Sequence, residues 1–195
     1  MQKMRIRITL LSCLIVFACC CLSNAQEKAP AEQVPFVPTP MEVVDRMLEF
    51  ADVKKTDVVY DIGSGDGRMI IRAAKMYGAK GVGIEMDAKL VELSRKEAQR
   101  EGVTNLVEFR QENGLKANVS AANVITLYML PSFNEMLRPI LERQLKPGTR
   151  VVVHDYPIAE WKPVKWEEMP LVDTRPEVMP HKHVLYLYIW KPASN

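Results

Sequence analysis

The sequence predicts an α/β domain with a doubly wound, mostly parallel sheet of seven strands and an antiparallel hairpin at its C-terminal end. Short apolar, β-branched runs alternate along the chain with segments of helical periodicity, and this alternation favours a parallel sheet covered by helices on both faces. A glycine-rich turn links the first run to the helix that follows it, as in sheets that bind nucleotides. The last two runs have no helix between them, which favours an antiparallel pair.

The first element is a helix over residues 41–50, because its apolar residues fall on one face and its acids on the other. Thr39 is expected to cap this helix, with Pro40 at its first position. Further helices are predicted at residues 69–77, 88–100 and 132–145, the last of them capped by Ser132. Strands are predicted at residues 57–62, 81–84, 106–110, 123–130, 150–155, 164–172 and 183–190.

The chain is predicted to comprise a signal segment at residues 1–25, a proline-rich arm at residues 26–40 and the domain itself at residues 41–195. Three cations lie in the first seven residues, an apolar run follows them, and Ser23-Asn24-Ala25 offers the small residues that a signal peptidase reads. A lipoprotein signal before Cys19 and a retained anchor are the alternatives, although the run is short of the ~20 residues that a span needs. Each interpretation exports the domain and allows membrane association through its N-terminal segment.

Composition excludes two classes of function. The formal net charge is +2, and removal of residues 1–25, which hold three of the 26 basic residues and no acid, leaves 23 basic against 24 acidic residues. We therefore expect no nucleic-acid partner, because such binders carry a basic surplus. All four cysteines lie in or beside the signal segment, so the domain is expected to lack disulfides, a thiolate nucleophile and cysteine-bound zinc.

The most informative stretch is Asp61-Ile62-Gly63-Ser64-Gly65-Asp66-Gly67, which follows a strand and opens a helix. Its Gly63-Ser64-Gly65 segment allows the backbone to pass close to a ligand. A dinucleotide site needs a third glycine where this chain has Arg68, and Asp61 would repel a pyrophosphate at the helix N-terminus. The turn suits a cationic ligand without phosphate, and S-adenosylmethionine, with its ammonium and sulfonium groups, is such a ligand.

Two residues beyond the turn are predicted to complete the cofactor site. Glu85 ends the second strand about 20 residues after the turn, where a carboxylate accepts hydrogen bonds from ribose hydroxyls; a helix N-terminal acid is its alternative role. Asn113 follows the third strand, where an adenine would lie, and is a candidate to bond the exocyclic amine. A turn residue before Gly114 is the alternative for Asn113, and the spacing does not separate the two.

The turn together with Glu85 resembles the signature of the seven-stranded, Rossmann-like S-adenosylmethionine-dependent methyltransferases. Four stretches are also similar to the mitochondrial lysine methyltransferases that modify the ATP synthase c-subunit and the adenine nucleotide translocator, and to their bacterial relatives. These stretches are Val37-Pro38-Thr39-Pro40, Asp61-Ile62-Gly63-Ser64-Gly65-Asp66-Gly67-Arg68, Thr126-Leu127-Tyr128-Met129-Leu130-Pro131 and Leu145-Lys146-Pro147-Gly148-Thr149-Arg150-Val151-Val152.

This resemblance covers roughly residues 34–163 and implies that Asp61, Gly63, Gly65, Glu85 and Asn113 bind the cofactor. At position 113 the family usually has aspartate, so the asparagine keeps an acceptor and loses a charge. The resemblance implies a lysine or similar amine on a protein as the methyl acceptor. The eukaryotic relatives are membrane-bound and intracellular, so their particular substrates do not carry over to a chain with an export signal.

Methyl transfer from a sulfonium depends mainly on alignment of the acceptor with the methyl group. A lysine acceptor must also lose its proton, which desolvation favours, and aromatic rings hold the cation that forms. Tyr128 and Asp155, at the ends of the fourth and fifth strands, are the candidate catalytic residues; a packing role and a hydrogen bond to a loop are their alternatives. Further candidate walls of the acceptor site are Tyr60, Tyr156 and Trp161.

We expect no metal site. His181 and His183 would share one face of a strand, and with His154 they offer three imidazoles, but no carboxylate or cysteine spacing completes a site. Two other hypotheses stay open at the sequence level. One is a non-catalytic nucleoside-binding module of the cell envelope, motivated by the export signal, and the other is a nicotinamide-dependent enzyme.

Overall fold

The computed structural model describes residues 36–170 and 182–192. The described residues contain four helices and seven strands. The helices are α1 (Met41–Phe50), α2 (Arg68–Tyr77), α3 (Ala88–Arg100) and α4 (Pro131–Gln144), and the strands are β1 (Val58–Ile62), β2 (Lys80–Glu85), β3 (Val107–Gln111), β4 (Val124–Leu127), β5 (Arg150–His154), β6 (Lys165–Glu168) and β7 (Val184–Ile189). The signal segment and the arm up to residue 35 lie outside the described residues.

The seven strands form one sheet in the order β3-β2-β1-β4-β5-β7-β6. The first five strands are parallel, and β7 pairs antiparallel with both β5 and β6. The chain therefore winds outward from β1 to β3, returns to the other side of β1 with β4, and ends in an antiparallel edge. The predicted fold class is confirmed. Ligands of such sheets bind beyond the carboxyl ends of the strands, where the winding reverses between β1 and β4.

Two apolar layers cover the sheet. On one face α1, α2 and α3 pack over residues such as Val59 and Val152, and on the other face α4 and residues 115–122 pack over residues such as Ile125 and Val151. The central strand β4 is buried along its whole length because helices cover both faces. Among the described residues, none of the helices has both the length and the apolar composition needed to cross a bilayer.

Both predicted helix caps are wrong. Helix α1 begins at Met41 after Pro40, and no side chain caps it. Thr39 is buried, and its carbonyl oxygen accepts a hydrogen bond from Arg68 Nη1 at 2.7 Å instead. Helix α4 begins one residue earlier than predicted, because Pro131 occupies its first position and its fixed φ suits that place.

Two predicted strands are too long. The apolar run at residues 123–130 forms a strand only over Val124–Leu127. Residues 128–130 instead connect this strand to α4, and Leu130 is the extended residue directly before the helix. The strand predicted at residues 164–172 is observed as Lys165–Glu168. Residues 171 and 172 lie outside the described residues, as does His181.

Candidate active site

The glycine-rich turn crosses the carboxyl ends of β1 and β2. The backbone amides of Gly63 and Ser64 both donate to the carbonyl oxygen of Ile84, at 2.9 and 3.0 Å, which holds the turn against the end of β2. Gly63, Gly65 and Gly67 have φ between 53° and 81°, the left-handed region that side chains disfavour. A Cβ at position 67 would also meet the Phe109 ring at 2.7 Å. The glycines are therefore required for the shape of the turn.

Asp61 lies buried at the end of β1, beneath this turn. Its Oδ1 accepts a hydrogen bond from Thr126 Oγ1 on β4 at 2.7 Å. The pKa of the Asp61 carboxyl is raised to about 7, chiefly by burial and also by the negative charges of Glu85 and Asp66, while the hydrogen bond from Thr126 acts in the opposite direction. A buried acid surrounded by other acids favours a positively charged ligand, because a cation offsets the cost of ionising it.

Glu85 at the end of β2 faces the same turn. Its Oε2 accepts from the Gly65 amide at 3.0 Å, and its Oε1 accepts from the amides of Met86 and Asp87 at 2.7 and 2.9 Å. These three backbone amides fix the Glu85 carboxylate at the mouth of the turn. A ribose-binding acid is expected at this position. Asp61 and Glu85 stand near the carboxyl ends of two neighbouring parallel strands, on either side of the glycine turn.

The other two predicted cofactor residues have local partners. Asn113 Oδ1 accepts a hydrogen bond from the Leu115 amide at 2.9 Å, which is the turn role weighed as an alternative. The Ser64 hydroxyl is buried against position 83, where a Cβ would approach it to 2.7 Å. The backbone of Ser64 is already engaged, because its amide donates to the Ile84 carbonyl oxygen and its carbonyl oxygen accepts from the Gly67 amide. Contact of Ser64 and Asn113 with the cofactor stays a prediction.

The end of the proline-rich arm reaches this site. A Cβ placed at Gly65 would meet the ring of Phe36 at 2.3 Å, so the ring lies directly over the turn. Phe36 is nevertheless 46% exposed, and Arg68 ties the neighbouring Thr39 carbonyl to the start of α2. The last residues of the arm therefore border the glycine turn and are more than a tether.

Comparisons with known proteins agree with this geometry. The profile of the ANTKMT methyltransferase domain family matches residues 61–165. A protein-lysine N-methyltransferase of Saccharolobus islandicus is 41% identical over 160 residues, which cover 80% of this chain and 93% of that protein. The chain belongs to the ANTKMT methyltransferase family. A human lysine N-methyltransferase named for the ATP synthase c-subunit is 34% identical over 130 residues, 67% of this chain and 55% of that protein. The methyltransferase thus spans little more than half of its human relative.

A solved structure identifies the cofactor. An RNA methyltransferase from Salinibacter ruber in complex with S-adenosyl-L-homocysteine is 52% identical, with a TM-score of 0.69, and the match covers 78% of this chain and 93% of that one. S-adenosylmethionine is the cofactor of the methyltransferase, and the buried Asp61 and the glycine cradle fit a cationic, phosphate-free nucleoside. This finding confirms the resemblance and argues against both the nicotinamide enzyme and the non-catalytic module.

Several of the residues predicted to form the acceptor site lie at the ends of β4 and β5. Tyr128 follows β4 directly, and its ring lies parallel to that of Tyr156 with 6.3 Å between the ring centroids. The ring of His154, at the end of β5, lies 4.0 Å from Tyr128. Asn134 on α4 donates to the Tyr156 carbonyl oxygen at 2.8 Å and so holds this loop in place. Tyr128 and Tyr156 are therefore placed as candidate walls.

Two other predicted walls lie elsewhere. Tyr60 is buried in the apolar layer beneath α4, because alternation along β1 turns it away from Asp61's side of the strand. Trp161 stacks on Trp190 with a centroid distance of 5.0 Å, and its Nε1 donates to Glu142 at 3.0 Å. Both aromatics serve packing.

A cluster of His154, Asp155 and His183 was not predicted from the sequence. His154 Nε2 lies 2.8 Å from His183 Nδ1, and Asp155 Oδ2 lies 3.3 Å from the former and 3.6 Å from the latter. The expectation of no metal rested on the lack of a completing carboxylate, and Asp155 provides one. The detectable signal was a His-Asp pair ending one strand and a histidine opening its antiparallel neighbour.

Proposed function

We propose that this methyltransferase transfers the methyl group of S-adenosylmethionine to the side-chain amine of a lysine on a protein. The observation that carries the proposal is the 41% identity with the protein-lysine N-methyltransferase of Saccharolobus islandicus, which this chain matches over 93% of that protein's length. A match of that extent includes both the cofactor turn and the acceptor side, so it bears on the acceptor as well as on the cofactor.

The acceptor side has chemistry that suits a lysine. Aromatic faces attract an ammonium group within about 6 Å of the ring centroid, and Tyr128 and Tyr156 present two parallel rings beyond the strand ends. Tyr128 is partly buried, so a lysine side chain beside it would be partly desolvated. Desolvation lowers the pKa of the lysine amine, because it disfavours the charged form. When bound, S-adenosylmethionine would supply the methyl group, and the neutral amine nitrogen would take it as the carbon–sulfur bond breaks and its electrons stay on sulfur. The proton lost by the lysine would pass to solvent, and S-adenosylhomocysteine would leave.

RNA is the second candidate acceptor. The protein from Salinibacter ruber, at 52% identity, carries the name RNA methyltransferase. Charge argues for the protein acceptor: without residues 1–25 this chain has 23 basic and 24 acidic residues, whereas nucleic-acid binders carry a basic surplus.

One labelling experiment separates these acceptors. Tag-free protein of residues 26–195 is incubated with methyl-labelled S-adenosylmethionine and a dialysed lysate of the source organism, and the products are treated with protease or with ribonuclease. We expect label that is sensitive to protease, resistant to ribonuclease and recovered as methyl-lysine after acid hydrolysis. Label removed by ribonuclease would establish the RNA acceptor instead.

Two variants serve as controls. Asp61→Asn should abolish labelling through loss of the cofactor. Tyr128→Phe, which keeps the ring and removes the hydroxyl, should retain labelling if the ring face is what matters, whereas Tyr128→Ala should lose it. Cofactor binding without labelling of any acceptor would contradict the catalytic proposal.

We also propose that the domain acts outside the cytoplasm, carried there by its N-terminal segment. The support is the order of cationic residues, apolar run and small-residue site in residues 1–25, and the confinement of all four cysteines to residues 13–21. A reporter enzyme that is active only outside the cytoplasm, fused after Asn195, should be active. Deletion of residues 2–25 is the control and should silence it, and a full-length fusion that is silent would refute export.

A further inference from the structure

The cluster of His154, Asp155 and His183 lies where β5 ends and β7 begins, apart from the glycine turn between β1 and α2. Both imidazoles are almost fully buried, with exposed side-chain fractions of 0% and 2%, and the carboxylate of Asp155 is 12% exposed. His154 closes β5, and His183 directly precedes β7, its antiparallel partner. We infer that these three side chains form a binding site for one divalent transition-metal ion of the zinc class.

The distances among the three donor atoms carry this inference. They form a triangle with sides of 2.8, 3.3 and 3.6 Å. Such a triangle has a circumscribed radius of about 1.9 Å, so a point just outside its plane lies about 2.0 Å from all three atoms, the length of zinc bonds to histidine and carboxylate. The three donor atoms are therefore close enough together for one ion to bond all of them.

The surrounding structure holds the carboxylate in this orientation. Asp155 Oδ1 accepts from the Val184 amide at 2.9 Å, and the Asp155 amide donates to the Val184 carbonyl oxygen at 2.7 Å. Asp155 has a positive φ of 60°, and its side chain contacts the first residue of β7. Oδ2 is thus directed at the two histidines, which is the kind of outer hydrogen bond that orients metal ligands.

The donor set decides the class of ion. Two imidazole nitrogens and one carboxylate oxygen suit zinc, cobalt, nickel or copper, whereas magnesium and calcium prefer oxygen donors throughout. Three protein ligands leave one position of a tetrahedral ion open, as in sites where a water or substrate group binds. The alternative is a hydrogen-bonded cluster without an ion, in which one of the two nitrogens His154 Nε2 and His183 Nδ1, 2.8 Å apart, donates a hydrogen bond to the other. Metal titration separates the two.

Metal titration of the whole domain tests the site. Tag-free protein of residues 26–195 is stripped with a chelator, titrated with Co²⁺ and Zn²⁺, and followed by visible absorption, calorimetry and elemental analysis. We expect one ion per chain and the intense visible bands of tetrahedral cobalt. Absence of stoichiometric binding of either ion would overturn the inference, and the cluster would then be a hydrogen-bonded triad.

Variants locate the ion. Asp155→Asn should fold, because asparagine keeps an acceptor for the Val184 amide and tolerates a positive φ. Its metal affinity should fall by at least ~10- to 100-fold, which is the loss seen when a residue that only hydrogen-bonds to a metal ligand is replaced. His183→Asn should lose binding as well. Asp52→Asn, an exposed acid beyond the other end of the sheet, is the matched control and should bind as the parent does. Unchanged binding in both cluster variants would refute the site whatever the methyl acceptor proves to be.

Discussion

Replacing Asp61 with asparagine should stabilise the cofactor-free protein at neutral to alkaline pH and abolish tight binding of S-adenosylmethionine. Asp61 is buried, and an asparagine there keeps an oxygen to accept the hydrogen bond from Thr126. The variant therefore removes a charge and little else. The difference in the free energy of unfolding between the variant and the native protein therefore measures the destabilisation caused by the buried Asp61 carboxylate.

The magnitude follows from the pKa of Asp61, which burial raises from 3.8 to about 7. Between these two values the folded protein keeps a proton that the unfolded chain has released, so the free energy of unfolding falls as the pH rises through this window. The full loss is about 4 kcal/mol, reached above pH 7, and about 3 kcal/mol of it falls between pH 5 and pH 8. Asparagine has no such loss.

Thermal unfolding of the two proteins from pH 5 to pH 8, without cofactor, gives the comparison. At about 2–4 °C per kcal/mol for a chain of this size, the Tm of Asp61→Asn should rise relative to the native Tm by about 6–12 °C across this range. Thr126→Val is the control, because loss of the hydrogen bond that lowers the pKa of Asp61 should displace the native transition to higher pH.

Saturating cofactor should offset most of the variant's advantage of about 4 kcal/mol above pH 7. At a concentration of 100 times Kd it stabilises the native protein by about 2.7 kcal/mol, and the variant should receive none of this. The native affinity should also increase as the pH rises through 7 and Asp61 ionises. A Tm difference that stays constant from pH 5 to pH 8, or an Asp61→Asn variant that binds the cofactor normally, would refute the assignment of Asp61 as its cation-binding group.

Three further substitutions test the cofactor site. Glu85→Gln should weaken S-adenosylmethionine binding about 10- to 100-fold by calorimetry, because a charged hydrogen-bond acceptor for the ribose is lost; unchanged affinity would contradict that role. Gly67→Ala should destabilise the protein by about 3 kcal/mol in denaturant unfolding, since its φ is 79° and a Cβ would meet the Phe109 ring. Phe36→Ala should speed dissociation of S-adenosylhomocysteine in stopped-flow measurements without changing Tm, because this half-exposed ring covers Gly65. Equal dissociation rates would show that the arm does not close the site.

The cofactor half of the site was predictable because it is local in the chain. Asp61 and the glycines are consecutive residues of one strand and turn, and Glu85 ends the next strand, which pairs with the first in parallel register. The alternation of strand and helix fixes which strand ends meet, so a pattern of residues sufficed. Asn113 was ambiguous for the same local reason, since its turn bond to Leu115 and a ligand bond use the same side chain.

The acceptor half was less predictable. Aromatic residues near strand ends looked equivalent in the sequence, but burial separated them: Tyr128 and Tyr156 lie beyond the strand ends, whereas Trp161 stacks on Trp190. Whether an aromatic side chain lies beyond the strand ends or packs in the core depends on which side of the sheet its connecting segment crosses. The apolar run after residue 123 also gave no sign of where β4 would stop, because the connection to α4 is as apolar as the strand.

By itself the sequence determined an α/β domain with a cofactor turn suited to a cation, because strand period, glycine spacing and the position of an acid before the turn are all properties of neighbouring residues. The resemblance to a known family supplied the methyltransferase function. Only the tertiary structure decided that Asp155 and His183, 28 residues apart, meet at His154. Antiparallel pairing of β5 with β7 places them side by side, and that register is set by packing across the whole sheet. No spacing along the chain encodes it.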